Sequence, residues 1–170
     1  SYIGNVMAAT EFNYKWDIGK IGKPVDKSEW GMRPQTVNAS YNPLANQLTF
    51  PAAILQPPFF DGAADDAVNY GAIGAVIGHE ISHSFDSSGA LFDASGKLRN
   101  WWTEEDLRRF NAAGDALVAQ YEQYSPFPGS KVNGRLTLGE NIADVAGLAT
   151  AHDAYRLSQQ GKPEQVLEGF

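Results

Sequence analysis

Cysteine is absent from the 170 residues, which excludes a disulfide framework and a thiolate metal site. Any metal must be held by imidazole and carboxylate. Histidine is scarce, at three residues. Long apolar runs are missing too. No stretch approaches the ~20 residues that span a bilayer, so no membrane contact is expected from this segment. Positive charge is in short supply, with 13 Lys and Arg against 20 Asp and Glu and a net charge of −7. That balance argues against nucleic acid or an anionic membrane as partner. There is no internal repeat and no low-complexity tract. With 43% hydrophobic residues, the chain is long and apolar enough for one domain with its own core.

Two of the three histidines fall in one stretch, His79-Glu80-Ile81-Ser82-His83. On a helix, residues four apart share a face, one turn above the other. His79 and His83 can then offer two imidazole nitrogens to one ion, with Glu80 beside that face and within reach of a water. Zinc takes imidazole nitrogen and carboxylate oxygen, and catalytic zinc keeps one position for water. A neighbouring carboxylate can take that water's proton and pass it to a leaving amine. The spacing carries this chemistry only on a helix. Val68, Ile73, Val76, Ile77, Ile81 and Phe85 recur at three- and four-residue intervals, which predicts a helix across 69–89. Gly71, Gly74 and Gly78 each cost about 1 kcal/mol relative to Ala there. Their spacing places them near one face, read as a close-packing surface for another element. Ser87-Ser88-Gly89 supplies the stop, with Gly89 just past the helix end. The competing reading is two histidines that happen to fall four apart on an amphipathic helix.

The flanking chain supplies the scaffold. Residues 4–21 read as a helix with an imperfect apolar face, Val6, Phe12, Trp16, Ile18 and Ile21, ended by Gly22. Residues 35–55 read as a hairpin, with turn material at Asn42-Pro43 and Ala45-Asn46 and with Pro51 confined to an edge strand or bulge. Such an edge offers free backbone groups to an extended peptide, or is a surface hairpin and nothing more. Gln56-Pro57-Pro58-Phe59-Phe60 is a stiff aromatic turn, and Asp61, Asp65 and Asp66 suit the approach to a helix N-terminus. Phe92 to Lys97 is a polar turn without the acidic spacing of a calcium loop. Thr103 caps a further helix with three acids in its first turn and a buried stripe of Leu107, Phe110, Leu117, Val118, Tyr121 and Tyr124; Trp101 and Trp102 before it belong to the core.

The last helix opens at Thr137 and runs to about Ser158. A site on His79 and His83 needs a third protein ligand, and Glu140 is the candidate. Asp144, one turn on, can accept the free ring N–H of a ligand histidine. The alternative is a capping box, Thr137-x-x-Glu140, in which the carboxylate bonds back to the Thr137 backbone. His152 reads as surface or packing. The architecture expected is α+β and mostly helical, with a small edge-exposed sheet beside the motif helix.

The string V-I-G-H-E-I-S-H-S-F-D, followed by G-E-N-I-A-D, resembles the neprilysin and endothelin-converting-enzyme family of zinc metallopeptidases, with its bacterial peptidase O-like members. The likeness extends to P-V-D-K-S-E-W at 24–30, Q-T-V-N-A-S-Y at 35–41, F-P-A-A-I-L-Q-P-P-F-F at 50–60, N-Y-G-A-I-G at 69–74 and W-W-T at 101–103. It implies a thermolysin-like zincin catalytic core. It implies one zinc on His79, His83 and Glu140, with Glu80 as general base and Asp144 supporting His79. It implies that Asn38 and Ala39 hold the substrate main chain, and that Phe59 and Val76 wall a pocket for a large apolar residue after the scissile bond.

Two positions depart from the family: Ser40 where an aromatic residue is usual, and Ser84 where glycine is usual. Members of the family are several times longer. The resemblance therefore makes residues 1–170 part of one catalytic domain, incomplete at both ends, without the large helical lobe and without a later segment whose His and Arg stabilise the transition state. The expected function is zinc-dependent hydrolysis of internal bonds in short peptides, weak or absent in this piece alone, from a chain expected to be monomeric. The rival is a non-catalytic zinc-stabilised module that binds peptides along a strand at 47–55. The location is open: lack of cysteine fits the cytoplasm or the exterior, and the resemblance favours a bacterial cell envelope or secreted setting.

Overall fold

The computed structural model describes residues 1–161. The motif stretch is helical, in three consecutive pieces. Asp65 opens it, its carboxylate accepting the backbone N–H of Ala67 at 2.8 Å, as acids ahead of a helix are suited to do. Helix α2 (Asp66–Asn69) passes into one π-helical turn (Tyr70–Gly74) and then into α3 (Ala75–Ser82). The helix ends at Ser82, ahead of the Ser87-Ser88-Gly89 stop that the sequence suggested. The cause is Asp86. Its carboxylate accepts the N–H groups of Ser88 and Gly89, each at 2.7 Å, and curls residues 84–89 into turns.

Helix α5 (Leu138–Gln159) lies along α3 and the π turn and makes the main helix pair of the fold. The approach is backbone to backbone. A Cβ on Gly78 would stand 2.6 Å from the Gly147 carbonyl oxygen. The expected glycine face therefore exists, but in part: Gly78 and Gly74 meet α5, whereas a Cβ on Gly71 would touch nothing within 4 Å. Helix α4 (Glu104–Tyr121) opens on Thr103, whose hydroxyl oxygen accepts the Asp106 N–H at 3.1 Å. It packs on the start of α5 around buried Gly114 and Val118, while Leu107 and Tyr124 of its predicted stripe stay exposed. Trp102 stacks on Phe110 at 5.3 Å and donates its indole N–H to the Ala90 carbonyl.

The sheet is a single hairpin, β1 (Ser40–Asn42) antiparallel to β2 (Gln47–Thr49), with Tyr41 opposite Leu48. Asn42 makes the turn by accepting the N–H of Leu44 and of Ala45. Both strands are shorter than the 35–55 pattern suggested, and the strand proposed at 47–55 stops at Thr49. Pro51 does not sit on an edge. It is fully buried and leads into a 3-10 turn (Ala52–Ile54), where a missing N–H and a fixed φ cost nothing. Ala39, Ile54 and Ile73, flanked by Phe50, Phe59 and Val76, form the small core that ties the hairpin to the motif helix.

Helix α1 (Tyr2–Ile18) ends a turn earlier than predicted and buries no residue, so its apolar side chains face outward. It is tied to the following loop by Glu29, which accepts from Trp16 and Lys20. The architecture is the α+β, mostly helical one expected. Among the described residues, no helix is long and apolar enough to cross a membrane.

Candidate metal centre

Two helices meet at one point. Helix α3 carries His79 and Glu80, with His83 at its C-terminal cap, and α5 carries Glu140 and Asp144. His79 Nδ1 lies 2.8 Å from Asp144 Oδ1, and His83 Nδ1 lies 2.7 Å from Asp86 Oδ2. A carboxylate accepts, so each Nδ1 donates its proton, and in the neutral imidazole each Nε2 is then a lone pair. Glu140 Oε2 stands 3.3 Å from His79 Nε2 and 3.7 Å from His83 Nε2. Atoms bound at about 2.0–2.1 Å to one tetrahedral ion stand about 3.3–3.4 Å apart, so this donor set fits a zinc-sized cation.

The capping-box alternative for Glu140 does not form. Thr137 makes no side-chain cap; its hydroxyl donates to the Asn133 carbonyl and accepts from Asn141 Nδ2 at 2.9 Å. Glu80 also lies within 4.8 Å of both histidines, but its setting differs. It is buried at 6% exposure, while the Glu140 side chain is 70% exposed. Burial pushes the Glu80 carboxyl above its ordinary range, against the pull of His83 and His79 and a backbone bond from Tyr41.

Beside His79 and Glu80 opens a pocket of about 480 Å³ lined by Asn38, Ile54, Phe59, Val76 and Leu148. Asn38, Phe59 and Val76, far apart in sequence, thus reach one cavity. Ala39 does not line it; its side chain is buried in the adjoining core. His152 is exposed and away from these groups, as read from the sequence.

The model of the family described as peptidase family M13 matches residues 38–170. The chain belongs to peptidase family M13. It is 41% identical over 168 residues to Neprilysin-3 of Drosophila melanogaster, covering 99% of this chain and 21% of that protein. It is 49% identical over 148 residues to a putative zinc metalloproteinase of Streptococcus gordonii, covering 87% and 26%. The crystal structure of the Mycobacterium tuberculosis zinc metalloprotease ZMP1 in complex with inhibitor superposes with a TM-score of 0.88 at 52% identity, over 93% of this chain and 25% of that one. The M13 chain thus has the zincin fold of these relatives and spans about a fifth to a quarter of their length.

Sequence reasoning assigned no role to Asp86. Its signal was present in the i, i+3 spacing from His83, but the turn that closes this spacing was read as helix. Asp86 is 7% exposed and serves three donors at once: His83 Nδ1 and two backbone N–H groups. Asp86→Ala is expected to cost about 1–3 kcal/mol of stability by orphaning them. Asp144→Ala, removing a carboxylate that is 71% exposed, is expected to cost far less. Urea midpoints of the two variants check the order.

Proposed function

We propose that this chain carries the zinc site and general base of an M13 metalloendopeptidase acting on short peptides. His79 and His83 bind through Nε2 and Glu140 through Oε2, one zinc per chain. The observation that carries the reading is the set of three lone pairs facing one point. With each neutral imidazole giving its Nδ1–H to a carboxylate, both Nε2 lone pairs face Glu140 Oε2, and a cation bound between them makes those contacts favourable. Glu140 is a better third ligand than Glu80: its Oε2 stands 3.3 and 3.7 Å from the two Nε2 atoms, whereas Glu80 is buried in the protein. Two imidazoles and one carboxylate suit zinc.

Bound zinc supplies a Lewis acid that polarises the scissile carbonyl and lowers the pKa of water toward about 7. Glu80, buried beside the two histidines, takes the water's proton and delivers it to the departing amine. Asp144 and Asp86 act as positioning residues that fix the tautomer and tilt of the two imidazoles. The cavity walled by Phe59 and Val76 receives a large apolar side chain on the amino end of the leaving fragment, and Asn38 with the Ala39 backbone steadies the peptide main chain. The non-catalytic alternative leaves unexplained why a buried carboxylate adjoins the ligand histidines.

Elemental analysis of the purified chain tests the site. One zinc per chain is expected, with Glu140→Ala losing most of it at equal protein concentration. A variant that retains full zinc would remove Glu140 from the ligand set. A wild-type chain that takes up none when supplied would remove the reading itself.

A further inference from the structure

A second hollow, of about 330 Å³, lies at the opposite end of β1 from the Phe59–Val76 pocket and is lined by Tyr41, Ser84, Phe85, Phe92 and Trp101. We propose that it is a second substrate subsite, taking an aromatic or large aliphatic side chain three residues upstream of the residue in the Phe59–Val76 pocket. This rests on the peptidase reading above.

The two hollows are ends of one track. Helix α3 packs beside β1. Asn38 lines the first hollow and Tyr41 the second. At about 3.3 Å per extended residue, those positions stand about 10 Å apart. One edge of β1 is taken by β2; the other pairs with no strand among the described residues. A peptide laid antiparallel along it places the residue opposite Tyr41 three positions before the residue opposite Asn38. Directly opposed side chains on paired strands project to the same side of the sheet. The side chain opposite Tyr41 therefore enters the hollow that Tyr41 lines.

The lining sets the chemistry. Phe85 and Trp101 meet edge to face at 6.3 Å yet remain 51% and 39% exposed, so they present aromatic surface with no cover of its own. The charges at the rim are already matched, Arg99 Nε lying 3.3 Å from Asp93 Oδ2. The Tyr41 hydroxyl is spent on Asn46 at 3.1 Å. The aromatic walls give an entering charge no stabilisation of their own, whereas an apolar ring covers aromatic surface at both walls.

The test is calorimetric binding of blocked hexapeptides to the zinc-loaded Glu80→Gln chain. Each peptide carries Leu for the Phe59–Val76 pocket and Phe, Ala or Glu three positions upstream. The Phe peptide is expected to bind about tenfold or more tightly than the Ala peptide, the scale of burying one large apolar side chain. Phe85→Ala is expected to shrink that gap to about threefold or less. Ser84→Trp, which fills the hollow, should do the same, with zinc content and circular dichroism confirming a folded chain in both. Equal binding of Phe and Ala peptides, while Leu→Ala in the peptide still weakens it, overturns the subsite and leaves the peptidase reading standing. A Glu peptide that matches the Phe peptide overturns the apolar assignment. No binding by any of the peptides removes the peptidase reading, and the subsite falls with it.

Discussion

Glu80→Gln is expected to keep the zinc and lose the cleavage. The amide has the shape of the carboxyl, so the turn of helix that presents His79 and His83 is undisturbed. What it cannot do is take a proton. General-base catalysis of this kind contributes about 10²–10⁴ in rate, and the fall should be of that size. Position favours the assignment: Glu80 is buried beside both histidines, where a water held by the metal would lie within its reach. The variant also loses the cost of placing a charge in a poorly hydrated site, so the metal-free chain should be no less stable than wild type. Single-turnover cleavage of a quenched fluorescent peptide, with the chain in excess, registers slow rates and gives the ratio directly. A variant that retains more than about a tenth of the wild-type rate, with zinc bound, would place the proton-accepting group elsewhere.

The parts of this site that lie close together in sequence were the legible ones. Spacing alone put His79 and His83 on one face with Glu80 beside them, and apolar recurrence made the stretch helical. The helix end was misplaced because periodicity does not report competition for backbone donors. Asp86 captures the N–H groups of Ser88 and Gly89, and no pattern of apolar residues registers that. The choice for Glu140 between cap and ligand was open for a similar reason. It turns on what the Thr137 backbone N–H bonds to, and that N–H is given to the Asn133 carbonyl at 3.1 Å. The hairpin was found but overextended, since β propensity runs on through Phe50 while Pro51 turns the chain inward. In α1, sequence showed which side chains are apolar; it could not show that none of them is buried.

Gly147→Ala is expected to damage fold and site together. The added Cβ would run into the backbone nitrogen and Cα of His79 and the carbonyl oxygen of Ala75, the last at 2.8 Å. These are main-chain atoms inside a helix and cannot swing aside as a flexible side chain can. The helices must separate instead, and a separation of α3 from α5 moves Glu140 and Asp144 away from His79 and His83. Overpacking a tight contact typically costs about 1–3 kcal/mol, and rigid neighbours on both sides put this position at or above the upper end. Zinc then adds a second loss, because a metal that binds only the native arrangement stabilises in proportion to its affinity. The wild-type chain should therefore gain several kcal/mol from saturating zinc and the variant much less. Gly71→Ala is the matched control: its Cβ meets nothing within 4 Å, and a helical Gly→Ala change there should leave stability equal or slightly raised. Thermal midpoints of all three chains, with zinc and with chelator, read both effects in one experiment. Equal midpoints for Gly147→Ala and wild type under both conditions would mean that α3 and α5 tolerate separation, and that the distances between the histidines and Glu140 do not depend on this contact.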